Sequence, residues 1–260
     1  MTNPIWKNKY FSEKIDPGDS RSLSLNRVIN RATFCFIILL LATVLMWTRH
    51  YSGKGDLTIT VIALAAGFAS TYISFHMPQI TGITVPVHAL IEGLAVGGIS
   101  AFIEVLYPGL ALNAVFLTFA VVMVVLSAYR FGVLVKSKRF IKTAFATLLA
   151  IGIYYILNFV LQVFSIEVFG FISPLGMGIC FLLTAVASYN LVGDLEFIEE
   201  AQRSGTRSRM EWTAVLGLLL TMGWIYLEFF SFINLIKRSV GDNVKKQKDK
   251  ISTSRKNRNQ

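Results

Sequence analysis

The chain has 260 residues, a formal net charge of +10, 54% hydrophobic residues and a mean hydropathy of +0.58. No Lys or Arg occurs between Leu57 and Tyr129, and none between Thr143 and Gln202. Stretches of that length with almost no charge exclude an ordinary soluble domain and define an all-α integral membrane protein with several spans. The positive charge does not point to nucleic acid. The 25 basic residues fall in tails, connections or at span ends, where they attract the anionic headgroups of a lipid bilayer. Nothing in the basic stretch from Lys245 to Arg258 is built to read bases.

In chain order, residues 1–26 form a polar tail of mixed charge with Pro17 and Gly18, read as disordered. No cleavable signal peptide is recognisable there. Residues 27–240 form the membrane domain. Its predicted spans are 32–48, 57–77, 85–107, 110–129, 143–164, 170–192 and 212–236. Each has the 17–25 residues that a helix needs to cross the hydrocarbon. The connection 77–86 is predicted as a loop, and 130–142 as a basic one. Residues 241–260 form a basic, disordered tail. Cys35 and Cys180 lie in separate apolar runs and read as buried free thiols.

The basic residues set an orientation. The N-tail and the even-numbered connections carry 14 Lys and Arg. The first, third and fifth connections carry 2. The bias places the N-terminus inside. Seven full spans then put the C-tail and its 9 basic residues outside, against the same rule. A re-entrant seventh segment would keep that tail inside. Seven full spans are the expectation.

Acids inside these runs are the candidate functional residues. A carboxylate in hydrocarbon costs roughly 2.5–3.5 kcal/mol on insertion scales. Glu228 sits in the middle of GLLLTMGWIYLEFFSFINLI with no Lys or Arg beside it, and Asp194 ends the run before it. With a turn near Ser204–Ser208, the two stand about 10–15 Å out of level, unless the sixth helix continues past Asp194. Glu92 lies mid-span in LIEGLAVGG, next to Gly93 and Gly97 in GxxxG spacing. It reads equally as a cation-path acid or as a structural hydrogen bond at a close helix contact. Glu104 and Asp194 read as interfacial where they stand alone. Glu196, Glu199, Glu200 and Glu211 mix with Arg203, Arg207 and Arg209 as a solvated connection or a cation-gathering mouth. Trp47, Tyr51, Tyr107, Tyr129 and Trp212 read as an aromatic belt. Trp224 and Tyr226 are expected inside the bundle.

Enzymatic readings find little. His88 and Glu92 share a helix face at i,i+4, but with His76 and His50 they lack the three converging ligands of a zinc site. There is no HExxH, and no serine or cysteine has a His partner at readable spacing. No resident cofactor is expected, and no ATP-binding motif is present.

The segments ALIEGLAVGGISAFIE (89–104), NLVGDLEFIEE (190–200) and GWIYLEFFSFI (223–233), in this order on a seven-span chain, resemble the Bax inhibitor family in its bacterial branch. The resemblance covers about residues 27–240. It implies a seven-helix bundle with the seventh helix central. It implies a calcium leak channel of a multi-pass protein in the bacterial cytoplasmic membrane. Its acidic pair on the last two helices, here Asp194 and Glu228, acts as a pH-sensitive latch. Two departures stand out: the last-helix acid is Glu rather than Asp, and the end of the second span reads YISFHMPQ, with His76 where some relatives have Arg.

Two carboxylates close together in a dry site cannot both ionise easily, so such a pair shares a proton or accepts a cation. Ca²⁺ takes 6–8 oxygens, so Asp194 and Glu228 alone would hold it transiently, as conduction requires. The expected function is a passive, pH-sensitive cation leak. The alternative is a non-conducting scaffold that regulates other membrane proteins, with protein partners that the sequence does not name.

Overall fold

Apolar runs can cross a bilayer only with every backbone polar group satisfied internally, which for single segments means helices. In the computed structural model, residues 22–55, 57–106, 108–133, 174–230 and the isolated positions 143, 147, 149, 150, 153 and 156 are described. Six helices are named here: α1 Leu25–Arg49, α2 Leu57–His76, α3 Thr81–Leu106, α4 Leu110–Arg130, α5 Pro174–Arg203 and α6 Met210–Phe230. A π-helical turn, His50–Lys54, prolongs α1. The isolated positions are helical too. They lie in the predicted fifth span, the rest of which falls outside the described residues, as do both tails apart from 22–26. Among the described residues, five helices, α1 to α4 and α6, are long and apolar enough to cross a membrane.

Helix ends differ from the sequence reading in instructive ways. Helix α1 begins seven residues before the predicted span, at Leu25. Its first turn is polar, and its free N–H groups are met by side chains from far along the chain. Gln202 Oε1 accepts from Leu25 N at 2.6 Å, and Glu211 Oε1 accepts from Ser24 N at 3.0 Å. Helix α3 starts at Thr81, so half of the predicted loop 77–86 is helical, Pro86 included. Helix α5 runs to Arg203, nine residues past Asp194. It stops in a Schellman turn: Thr206 N donates to Ala201 O, Gly205 N donates to Gln202 O, and Gly205 takes φ 77°.

Helix packing follows the small residues. Helix α3 lies against both α1 and α2. A Cβ on Gly93 would collide with the Leu39 carbonyl oxygen, one on Gly97 would lie 2.6 Å from Thr43 O, and one on Gly98 would strike Thr60. The GxxxG pair thus brings α1 and α3 backbones together, as small-residue spacing allows. Helices α4 and α6 are the most enclosed spans and α2 the least. Helix α2 shows little apolar asymmetry and exposes Ile62, Phe68 and Tyr72, as a lipid-facing helix does.

One end of the bundle collects the basic connections. Ser22 pairs with Arg207 in a β-bridge, and Leu23 N donates to Thr206 O at 2.8 Å. Arg130, at the end of α4, donates to Asn30 of α1. A Cβ on Gly82, at the start of α3, would touch the Trp212 indole at 3.4 Å. The start of α1 and the 2–3, 4–5 and 6–7 connections therefore share one face. That is the grouping the Lys and Arg bias requires.

Candidate functional site

Helix α6 carries the site. Asp194 is 8% exposed and accepts a hydrogen bond from the Thr221 hydroxyl of α6. Asp194 lies nine residues, about 14 Å, from the end of α5; Thr221 lies eleven, about 16 Å, from the start of α6. Both distances put the contact near the middle of the bundle rather than at its interface. Glu92 is eleven residues into α3 and stands at a similar depth. A Cβ on Gly223 would lie 2.5 Å from Glu92 Oε1, so the glycine makes room for the acid. Thr221 and Gly223 are two residues apart, about 200° around a helix. Helix α6 thus passes between two interior acids, Asp194 on the α5 side and Glu92 on the α3 side.

Glu228 is seven residues, about 10 Å, beyond Thr221. It is half-buried and accepts from Trp224 Nε1 at 2.9 Å, one turn back on its own helix. The two acids named by the resemblance therefore meet α6 at different levels in this conformation, by about the offset that the sequence spacing indicates. Trp224 is 51% exposed and faces outward, whereas Tyr226 is buried and shares a 2.7 Å hydrogen bond with Ser100 of α3. The expectation that both aromatics pack inside holds for Tyr226 alone. Tyr129, expected in the aromatic belt, is 1% exposed and packed in the core.

Glu92 borders a cavity of about 30 Å³ between α1, α3, α4 and α6. Its other oxygen-bearing walls are Thr43, Thr118 and Tyr226. That volume suits one water, not a hydrated cation. Glu92 Oε2 is buried and has no hydrogen bond among the described residues; His88 Nε2 lies 3.4 Å away. His88 Nδ1 in turn is 2.7 Å from the Ser70 hydroxyl of α2. Ser70 also lies 2.9 Å from Gly67 O, which already accepts from Thr71. The hydroxyl can donate to Gly67 or to the ring. In the first case His88 Nδ1–H donates to Ser70, and Nε2 and Oε2 face each other across one proton. In the second, Nε2–H points at the carboxylate. Either way, Ser70, His88 and Glu92 stand in a row, hydrogen-bonded at the Ser70–His88 step, while His88 Nε2 and Glu92 Oε2 approach to 3.4 Å without a hydrogen bond.

Ser70 thus has a histidine partner, at a separation that no sequence spacing shows. Eighteen residues and a helical hairpin separate them, so linear spacing hid it. His76 is not part of the group; it is exposed and 3.0 Å from Tyr72 O.

Two other acids at span ends are buried rather than solvated. Glu104 is 9% exposed and accepts from the N–H groups of Gly109, Ala111 (3.0 Å) and Leu112 (3.1 Å). It caps α4 from the preceding helix, across a turn where Gly109 takes φ 76°. Glu211, read as part of a solvated connection, is fully buried. Its Oε1 accepts from Arg27 at 2.7 Å, and its Oε2 lies 3.0 Å from Arg31 Nη1. The sequence signal was available: Glu211 immediately precedes an apolar run, and Arg27 and Arg31 share one face of α1.

Several apolar spans, their basic connections on one face, and acids held at mid-depth define a multi-pass helical membrane protein. A family model described as Bax inhibitor 1 like matches residues 3–238, and the chain belongs to that family. No curated protein matches the chain. No solved structure matches it.

Proposed function

We propose that the protein is a passive cation leak whose path runs through the bundle past Glu92 and whose closed seam lies at α5–α6. Calcium is the ion that family resemblance implies. Glu92 carries this reading. A carboxylate at mid-membrane costs several kcal/mol unless it is used, and its Oε2 has no hydrogen bond among the described residues. Glu92 offers one carboxylate to a passing cation, far fewer oxygens than the 6–8 of a tight calcium site, as passage rather than retention requires. The 30 Å³ cavity corresponds to a closed state.

The latch in this proposal is the Asp194–Thr221 bond. A direct Asp194–Glu228 latch would need α5 and α6 to slide by about 10 Å. Glu228 then serves as a second acid farther along α6. In this reading the leak is pH-sensitive because the latch is built on a carboxyl group, that of Asp194. The face that gathers the basic connections is the cytoplasmic one, with the N-terminus inside, in a bacterial cytoplasmic membrane.

Calcium efflux from proteoliposomes, followed with an enclosed indicator, tests the reading. Glu92→Gln should cut the leak at least tenfold, while Asp194→Asn should raise the resting leak and flatten its pH profile. Wild-type flux and pH profile in Glu92→Gln, Asp194→Asn and Glu228→Gln alike would sink it. Absence of flux from the wild-type protein, with a defined membrane partner recovered by pull-down, would favour the scaffold instead.

A further inference from the structure

The basic face carries a built cleft that the cation path does not use. It has a volume of about 570 Å³ and lies where α1 and α6 begin. Arg27, Arg31, Arg207 and Arg209 line it, with Trp212 and the single carboxylate of Glu211. Among the described residues that line it, guanidinium groups outnumber carboxylates, and Arg209 adds to the pair that Glu211 holds. Two of them are fixed: Glu211 holds Arg27 and Arg31 from below, and Arg31 stacks over Trp212 at 4.7 Å. Arg27 also donates to Ser22 O at 2.6 Å. The β-bridge between Ser22 and Arg207 ties the opposite wall to the same strand of chain. Binding therefore requires little ordering of Arg27 and Arg31.

We propose that this cleft binds the phosphate group of an anionic membrane lipid. Guanidinium forks match phosphate oxygens in pairs. The start of α6 adds the positive end of its helix dipole. The cleft sits where the apolar spans give way to polar connections, beside an indole, which is the level of headgroup phosphates. The volume falls in the range of small-ligand sites. The occupant would tie α1 to α6 at the end of the bundle through which α6 is anchored.

The test uses the full chain purified in detergent, with dioleoyl phosphatidylglycerol and dioleoyl phosphatidylcholine titrated in and bound lipid read by native mass spectrometry. Phosphatidylglycerol should bind at least tenfold tighter. The double substitution Arg207→Gln and Arg209→Gln should weaken it about thirtyfold, as loss of two basic groups near an anionic surface would. Arg209→Glu, which leaves the Arg207 bridge untouched, should weaken it by at least tenfold. Lys136→Gln with Lys138→Gln, in the other basic connection, should change it less than threefold. Inorganic phosphate that displaces the lipid from wild type would identify a soluble phosphate as sufficient; failure to displace would identify the lipid as the source. Wild-type affinity in both cleft variants, or equal losses in the cleft and control variants, would overturn the proposal. Because the readout is lipid binding and not flux, its failure leaves the cation-leak reading standing.

Discussion

Asp194 and Glu92 flank α6 from opposite sides at one depth, the first bonded to Thr221 and the second lodged against Gly223. A helix held between two interior acids moves only if one of those contacts changes. This is the physical basis for placing the gate at α6. It also makes the two contacts separable by mutation.

Thr221→Val keeps the shape of the side chain and removes the donor to Asp194. Loss of one such hydrogen bond costs about 0.5–1.5 kcal/mol. Unfolding in mixed micelles should show a loss of that size, and proteoliposomes should show a raised resting leak. Adding Asp194→Asn should cost less than the two single losses together, because the pair shares one interaction.

Gly223→Val should displace Glu92, since a Cβ there would stand 2.5 Å from Oε1. Overpacking of this kind costs about 1–3 kcal/mol. In a Glu92→Ala background the cost should shrink markedly. The difference between the two backgrounds, read as apparent melting temperature in detergent, measures the contact directly.

Gly93→Leu should separate α1 from α3. The new side chain would run into the Leu39 carbonyl and the Ala42 methyl, both on a helix that cannot retreat without losing its other contacts. A loss of about 3 kcal/mol is expected, seen as a lower melting temperature and reduced yield of folded protein.

Glu104→Ala should fray the start of α4. Three N–H groups lose their acceptor, and loss of a helix cap costs about 0.5–2 kcal/mol. Hydrogen exchange at Ala111 and Leu112 should accelerate while that of α6 is unchanged.

Ser70→Ala should destabilise the fold by about 0.5–1.5 kcal/mol, because His88 Nδ1 loses the hydroxyl 2.7 Å away. Unfolding in mixed micelles measures the loss. Adding His88→Gln should cost less than the two single losses together; additive losses would show that the two side chains do not interact.

Much of the architecture was legible in order along the chain. Long stretches without Lys or Arg can be satisfied in a bilayer only by helices, so α1 to α4 and α6 fall where hydropathy puts them. The basic bias grouped the connections correctly on one face. Glu92, Gly93 and Gly97 were recognisable because an acid among small residues is costly and conspicuous. Rise per residue indicated an offset between Asp194 and Glu228 but left it open to a longer sixth helix; α5 does continue past Asp194, and the offset remains. Where α1 and α5 end was not legible, because polar residues extend both helices. They do so by pairing with distant chain: Gln202 and Glu211 complete the first turn of α1, and Gly205 alone stops α5.

Composition and periodicity thus determined that the chain is a bundle of membrane helices with acids inside it, since hydrocarbon penalises each polar group wherever it lies along the chain. Only the tertiary structure decided which acid meets which partner. Ser70 with His88, Thr221 with Asp194, and Arg27 and Arg31 with Glu211 are contacts between separate helices. Their pairing depends on how the helices rotate and slide against one another, and those two variables are set by packing, which a linear pattern does not encode.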